Sequence, residues 1–164
     1  KREMGVKALF ALDNIWDGIG AVLFNHPEMR YMIGKVTIYP GYNEQARELI
    51  YAYLDRYHKG EQGLIEPYHP LLSQPLTHSP FEGEDKQENY HILQHAVREQ
   101  GTVIPPIFTA YLNLTNDLQF FGNAINDEFG DVLESGIMVD LETVYPEKKE
   151  RYINSYIKWL NSIE

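Results

Sequence analysis

The densest group of chemically capable side chains is the run Asn126-Asp127-Glu128-Phe129-Gly130-Asp131. A carboxylate at the mouth of a cleft can hold an ammonium group or take a proton from it as the nitrogen attacks. The same residue types also build an acidic turn, because Asn, Asp and Gly favour turns for local backbone reasons. Judged on residue type alone, the turn is the stronger reading. His91 and His95 stand four apart on an expected helix, a spacing that can bring two imidazoles to one metal. The intervening sequence is Ile-Leu-Gln, with no zincin glutamate and no obvious third ligand. A solvated helix face fits better, and no metal site is expected. The chain has no cysteine, which excludes a disulfide scaffold and a thiolate nucleophile or ligand. It also has no Gly-x-Ser-x-Gly elbow of the kind serine hydrolases use.

The elements around these residues follow from periodicity. Leu9, Leu12, Ile15, Trp16, Ile19, Val22 and Leu23 recur at helical spacing, which predicts a helix from about Lys7 to Phe24, ended by Asn25-His26-Pro27. Gly18 and Gly20 weaken it by roughly 1 kcal/mol each against alanine, and glycine there permits close approach of another backbone. Tyr31 to Tyr39 reads as a strand rich in aromatic and β-branched residues. Met32, Gly34, Val36 and Ile38 share one face; Tyr31, Ile33, Lys35 and Thr37 share the other. Asn43 is a good N-cap for a second helix whose buried stripe is Leu49, Ile50, Tyr53, Leu54 and Tyr57.

Gly60 to Gly83 lacks periodicity and reads as a long surface loop, of the kind that is usually functional or mobile. Asp85 and Glu88 have capping-box spacing ahead of a helix from Lys86 to Gln100. Pro105-Pro106 starts a short helix through Leu112. Strands are expected at Leu118 to Asn126 and Gly136 to Leu141, and Pro146 opens a terminal helix. Helix and strand in this order predict an α/β layered domain.

Bulk properties narrow the function. The chain has 164 residues, of which 43% are hydrophobic, enough for one domain. The net charge of −10 argues against a nucleic-acid surface. No apolar run reaches the ~18 residues needed to span a bilayer, and no signal peptide is visible. A cytoplasmic location is expected, with peripheral contact at the inner membrane.

Four blocks in order carry a resemblance to a known family. Ile15-Trp16-Asp17-Gly18-Ile19 resembles the Leu-Trp-x-Gly-Ile helix of ornithine-lipid type N-acyltransferases. Tyr31-Met32-Ile33-Gly34-Lys35-Val36-Thr37 resembles the strand that follows it. Pro105-Pro106-Ile107-Phe108-Thr109-Ala110-Tyr111-Leu112 resembles their Pro-Pro-Leu-x-x-x-Tyr-Leu segment. Gly122 to Phe129 resembles their Ala-x-Asp-x-x-Phe block. The run Leu9 to Gly18 is most similar to a Bacteroidetes group that carries a hemolysin label; no pore-forming segment is present to support that label. Arg2-Glu3-Met4-Gly5-Val6-Lys7 partly resembles the pyrophosphate loop of GNAT acyltransferases, with Lys7 where Gly or Ala is usual.

The resemblance implies a GNAT-like fold: a mixed sheet flanked by helices, of which residues 1–164 hold the C-terminal part of a single acyltransferase domain, with a loop and helix insertion at about 60–104. It implies transfer of a long, often 3-hydroxy, acyl group from acyl carrier protein to an amino acid amine such as glycine, in aminolipid biosynthesis. The donor is an acyl-phosphopantetheine thioester, on acyl carrier protein or coenzyme A, and no permanently bound cofactor is expected. Arg2, Gly5 and Lys7 would meet the pantetheine phosphate at a helix start. The backbone of Lys35, Val36 and Thr37 would hydrogen-bond the pantetheine amides, as in strand addition. Asp127 or Glu128 would position or deprotonate the amine, and Tyr111 would stabilise or protonate the leaving thiolate. Acyl carrier protein is acidic, as is this chain, so docking needs a local basic patch such as Lys1, Arg2 and Lys7, or Lys148, Lys149 and Arg151. Two other classes remain open: a binding or structural module in which the aromatic stripes are only core and interface, and a coenzyme A-dependent N-acetyltransferase.

Overall fold

The computed structural model describes the backbone of residues 2–72, 74 and 76–163, and side chains from Asn14 onward within those ranges. The chain is α/β. Its elements are α1 (Arg2–Asn25), β1 (Tyr31–Ile38), α2 (Glu44–Tyr57), β2 (Pro70–Leu71), α3 (Lys86–Glu99), α4 (Pro106–Leu112), β3 (Gln119–Asn126), β4 (Val132–Asp140) and α5 (Pro146–Ile163). The strands form one antiparallel sheet in the order β1-β4-β3-β2. The last long strand is therefore inserted between the first and its own hairpin partner. The outer edge of β1 pairs with no strand among the described residues. This layout is consistent with part of a GNAT-like fold.

Local signals explain most boundaries. Asn43 caps α2 by accepting from the Ala46 N–H at 2.9 Å, and Asp85 caps α3 by accepting from the Glu88 N–H at 2.8 Å. Glu88 does not close a reciprocal box on Asp85; its carboxylate accepts from the Glu84 N–H at 2.7 Å. Gly101 follows α3 in the left-handed region, at φ +74°. The α2 stripe is buried as its spacing implies, with Ile50, Tyr53 and Leu54 at 2% exposure or less, and Tyr57 packs partly buried against the same core. These residues meet Val36, Ile38, Phe120, Ile137 and Val139 from the inner face of the sheet, with Leu93, Val97 and Phe108 closing the layer. Full burial of one such side chain contributes roughly 1.5–3 kcal/mol.

Three elements differ from the sequence expectation. β4 starts at Val132, four residues ahead of the expected Gly136. It is an inner strand whose first half turns Glu134 to the open outer face and buries the polar Ser135 on the inner one, so the apolar-polar alternation that marks a half-buried strand is absent there. β2 lies inside the expected loop as a two-residue pairing of Pro70 and Leu71 with Ala124 and Asn123, too short for any periodic signal. In α1, Trp16 is buried, yet Ile15 and Val22 are 59% and 48% exposed. The helix packs mainly on α5, so only its central line is covered. The helix also begins at Arg2, ahead of the expected Lys7.

The two α1 glycines have different reasons. A Cβ on Gly20 would lie 2.7 Å from the carbonyl carbon of Tyr152 in α5, whereas one on Gly18 would meet nothing within 4 Å. Gly20→Val is expected to force α1 and α5 apart and to lower stability by about 1–3 kcal/mol. Gly18→Ala is expected to raise it by roughly 0.5–1 kcal/mol. Thermal melts of the two variants check this, and equal shifts would refute the packing assignment. Among the described residues, no helix is long and apolar enough to cross a membrane.

Candidate active site

The outer face of the sheet carries an open groove of about 450 Å³. Its floor includes Ile33, Lys35, Phe121 and Glu134, residues 65–69 run along one side, and Asp127 and Glu128 close one end. A β-bulge aligns these groups. The register passes from Phe120↔Ile137 to Asn123↔Ser135, so β3 carries one extra residue between them. Gly122 takes the positive φ, +87°, that the bulge requires. Without the extra residue, Asn123 would face outward. With it, Asn123 turns inward to accept from the Ser135 hydroxyl at 2.6 Å, and Ala124 and Asn126 line the groove beside Lys35 and Glu134.

The turn that bears the carboxylates is short. Asp127–Phe129 form one 3-10 turn, and Gly130 and Asp131 follow at φ +71° and +56°. Asp tolerates the left-handed region better than most residues because its short polar side chain can bond locally. Val132 then re-enters the sheet opposite Asn126. The acidic run is thus a turn, and two of its carboxylates, Asp127 and Glu128, line the groove.

One pair organises the groove's charge. Lys35 donates to Glu134 at 2.7 Å, and Asn126 donates to the other oxygen of the same carboxylate at 3.1 Å. The lysine's hydrogen bond is the main reason the Glu134 carboxyl is held below its ordinary value; burial opposes this. Glu134 therefore remains ionised. The groove lining has one lysine against four carboxylates: Glu66, Asp127, Glu128 and Glu134. Such a lining favours a cationic group over an anionic one.

The other sequence-predicted residues lie elsewhere. Tyr111, on α4, is on the inner side of the sheet. It packs edge-on to Trp16 with ring centroids 5.3 Å apart, and its hydroxyl is 3.5 Å from where a Cβ on Gly34 would stand. Burial pushes its phenol up from the ordinary value. The structure thus does not bring Tyr111 to Asp127 and Glu128; β1 and β4 separate them. Lys35 and Thr37 point outward, while the Val36 side chain is buried in the inner core, which leaves its backbone for the strand edge. Arg2, Gly5 and Lys7 fall in the first turns of α1, so the segment is helix and not the loop ahead of a helix that the resemblance implied; their side chains lie outside the described residues. His95 faces Glu99 at 3.4 Å on the same helix.

Glu134 was invisible to sequence reasoning, because the strand was expected to begin two residues after it. The signal that could have found it is Gly122: an isolated glycine in a strand suggests a bulge, and hence a longer hairpin than alternation alone implies.

The chain is similar to two curated proteins, each named glycine N(alpha)-acyltransferase, from Bacteroides thetaiotaomicron and Phocaeicola vulgatus. Identity is 38% and 39% over 157 residues, which is 94% of this chain. The same stretch is 47% and 48% of those proteins; the chain spans about half the length of the curated relatives it matches. No family profile and no solved structure matches it.

Proposed function

We propose that this chain is part of a GNAT-like N-acyltransferase, related to the hemolysin-labelled Bacteroidetes group, that moves a long, often 3-hydroxy, acyl group from acyl carrier protein to the amine of glycine for aminolipid synthesis. Similarity to two proteins named for glycine N-acylation, over 94% of the chain, carries the reading. The acidic groove is the geometric support, since it suits an ammonium group.

In the reaction the amine nitrogen attacks the thioester carbonyl. A C–N bond forms, the C–S bond breaks, and the products are an amide and a thiol. Glycine enters as the ammonium and gives up two protons: one passes to the departing sulfur and the other to a carboxylate or solvent. Asp127 and Glu128 hold the ammonium and take its proton. The backbone edge of β1 at Lys35, Val36 and Thr37 receives the pantetheine arm, and Arg2, Gly5 and Lys7 meet its phosphate.

Tyr111 lies on the other side of the sheet from Asp127 and Glu128, so it serves the sulfur only where the thioester passes the free edge of β1 beside Gly34. An ordinary thiol has a pKa near ~8.5, and the Tyr111 phenol lies above its own ordinary value of 10.0. Full proton transfer to the thiolate is therefore uphill, and the hydroxyl works as a hydrogen-bond donor. Tyr111→Phe is expected to lower kcat about 10-fold or more while leaving the KM for glycine unchanged; a change in KM alone removes it from this role.

The test of the function is acyl-glycine formation by the complete protein, with palmitoyl and 3-hydroxypalmitoyl groups on acyl carrier protein. Transfer to glycine, resistant to competition by free coenzyme A, is the expected result. Acetyl transfer from coenzyme A at a comparable rate would overturn the choice of donor, and absence of transfer from either donor would overturn the enzyme reading.

A further inference from the structure

A second cavity, of about 490 Å³, lies between α1, α5 and the start of β1. Its walls include Trp16, Ile19, Leu23, Met32, Tyr152 and Ile153. The lining also carries Glu28, Arg30, Glu142, Lys148 and Lys149, and Arg30 is held by Asp140 at 3.1 Å and by Glu142 at 3.3 Å. The larger cleft beside α3 has a different character, being lined by Asp85, Lys86, Gln94 and Asp117 among others. The outer groove is acidic. Of these three spaces, the α1–α5 cavity carries the most large apolar side chains, which suits it to a hydrocarbon chain.

Its position has a direction. α1 runs back under β1: Trp16 meets Tyr111, whose hydroxyl approaches Gly34 in mid-strand, while Leu23 shares the cavity with Met32 near the strand's start. The N-terminus of α1 therefore lies toward the C-terminal end of β1. A pantetheine arm that enters at the start of α1 and follows β1 points its acyl group at Met32. The contact of Gly20 with the Tyr152 backbone fixes how far apart the two helices stand, and Ile19 and Leu23 flank that contact.

We infer that this cavity holds the alkyl chain of the acyl donor, with the carbonyl end toward β1 and the methyl end between α1 and α5. This rests on the acyltransferase reading above. A methylene needs about as much room as a water molecule in the liquid, roughly 30 Å³, so the cavity has room for a long alkyl chain. A long saturated chain gains affinity with each buried methylene, so the cavity also acts as a length selector.

Two substitutions shorten it from opposite walls: Ile19→Phe on α1 and Ile153→Phe on α5. Thermal melts establish that each variant folds, and one that does is sufficient. The complete protein is titrated with octanoate, laurate and palmitate, and is assayed with octanoyl and palmitoyl acyl carrier protein. The unsubstituted protein is expected to bind palmitate best. The filled variants lose about tenfold or more for palmitate and palmitoyl donor, the worth of two excluded methylenes, and keep octanoate and octanoyl donor within about twofold. Palmitate binding or turnover that survives the substitutions overturns the cavity assignment, whether or not the enzyme reading stands. A protein that binds palmitate in this length-dependent way but transfers no acyl group overturns the enzyme reading and leaves the chain-binding site in place.

Discussion

Replacing Asp127 with Asn and Glu128 with Gln together is expected to cut acyl transfer to glycine by about 100- to 10,000-fold, the usual contribution of a positioned acid or base. Both side chains are exposed in a turn. Surface substitutions of this kind ordinarily change stability by less than about 0.5 kcal/mol, so a melt near the unsubstituted value separates lost chemistry from lost fold. The split between kinetic parameters then assigns the role. If the carboxylates only hold the ammonium, KM for glycine rises and kcat is retained; if they also accept its proton, kcat falls as well. Turnover unchanged in both parameters would remove them from the mechanism. The comparison variant is Glu134→Gln. It leaves Lys35 without its ion pair, so its effect should fall on glycine binding through the groove's charge. Glu134 is already committed to Lys35 and Asn126, whereas Asp127 and Glu128 line the end of the groove as exposed side chains.

Stability is expected to fall by about 3 kcal/mol between pH 6.5 and pH 4 through His58 alone. His58 follows α2 and is 4% exposed. Its Nδ1 bonds the Leu118 carbonyl at 3.0 Å, and its Nε2 has no partner among the described residues. The Nδ1–H therefore donates, and the imidazole is neutral. Burial, and after it the nearby Lys86 charge, pushes its pKa down from 6.5 to about 4, against the raising effect of the carbonyl. Tyr53 packs on the ring and stays protonated, because burial raises its phenol. Asp117 acts on Lys86 and opposes the lysine's own desolvation.

The sign follows from which state binds the proton. Above pH 6.5 the imidazole is neutral folded and unfolded, and the full stability is present. Between 6.5 and about 4 the unfolded chain takes a proton that the folded one refuses, so stability drops as pH falls. Below about 4 both states are protonated and this contribution is constant. His58→Gln can keep a donor toward Leu118 without a titrating group. Urea unfolding of both proteins at pH 7, 5.5 and 4.5 measures the difference. A His58→Gln protein whose stability declines as steeply as the parent across this window would show that His58 is not the cause.

Much of the fold was legible because its signals are local. The side-chain oxygens of Asn43 and Asp85 cap helices wherever the chain goes next. Tyr31 to Ile38 alternates cleanly because β1 has one core face and one open face. Pro106 and Pro146 open the helices they were expected to open. The candidate carboxylates Asp127 and Glu128 could be picked out by type and place, since an acidic turn between two strands must sit at a sheet end. The resemblance that pointed to acyl transfer was also carried by short blocks.

The rest depended on what lies across from what. No local pattern shows that β4 inserts beside β1, yet that insertion sets Glu134 diagonal to Lys35 and gives the groove its ion pair. The extra residue at Gly122 reverses which β3 side chains reach the groove, and a shift of one residue turns every later side chain to the other face. Tyr111 could be named from sequence, but its placement beneath β1, away from the carboxylates, needed α4 docked on Trp16. The sequence by itself thus determined the five helices, β1, β3 and the acidic turn, but not β2 or the start of β4. Only the tertiary structure decided which of them share a face, because strand order and register are set by packing between segments far apart in the chain.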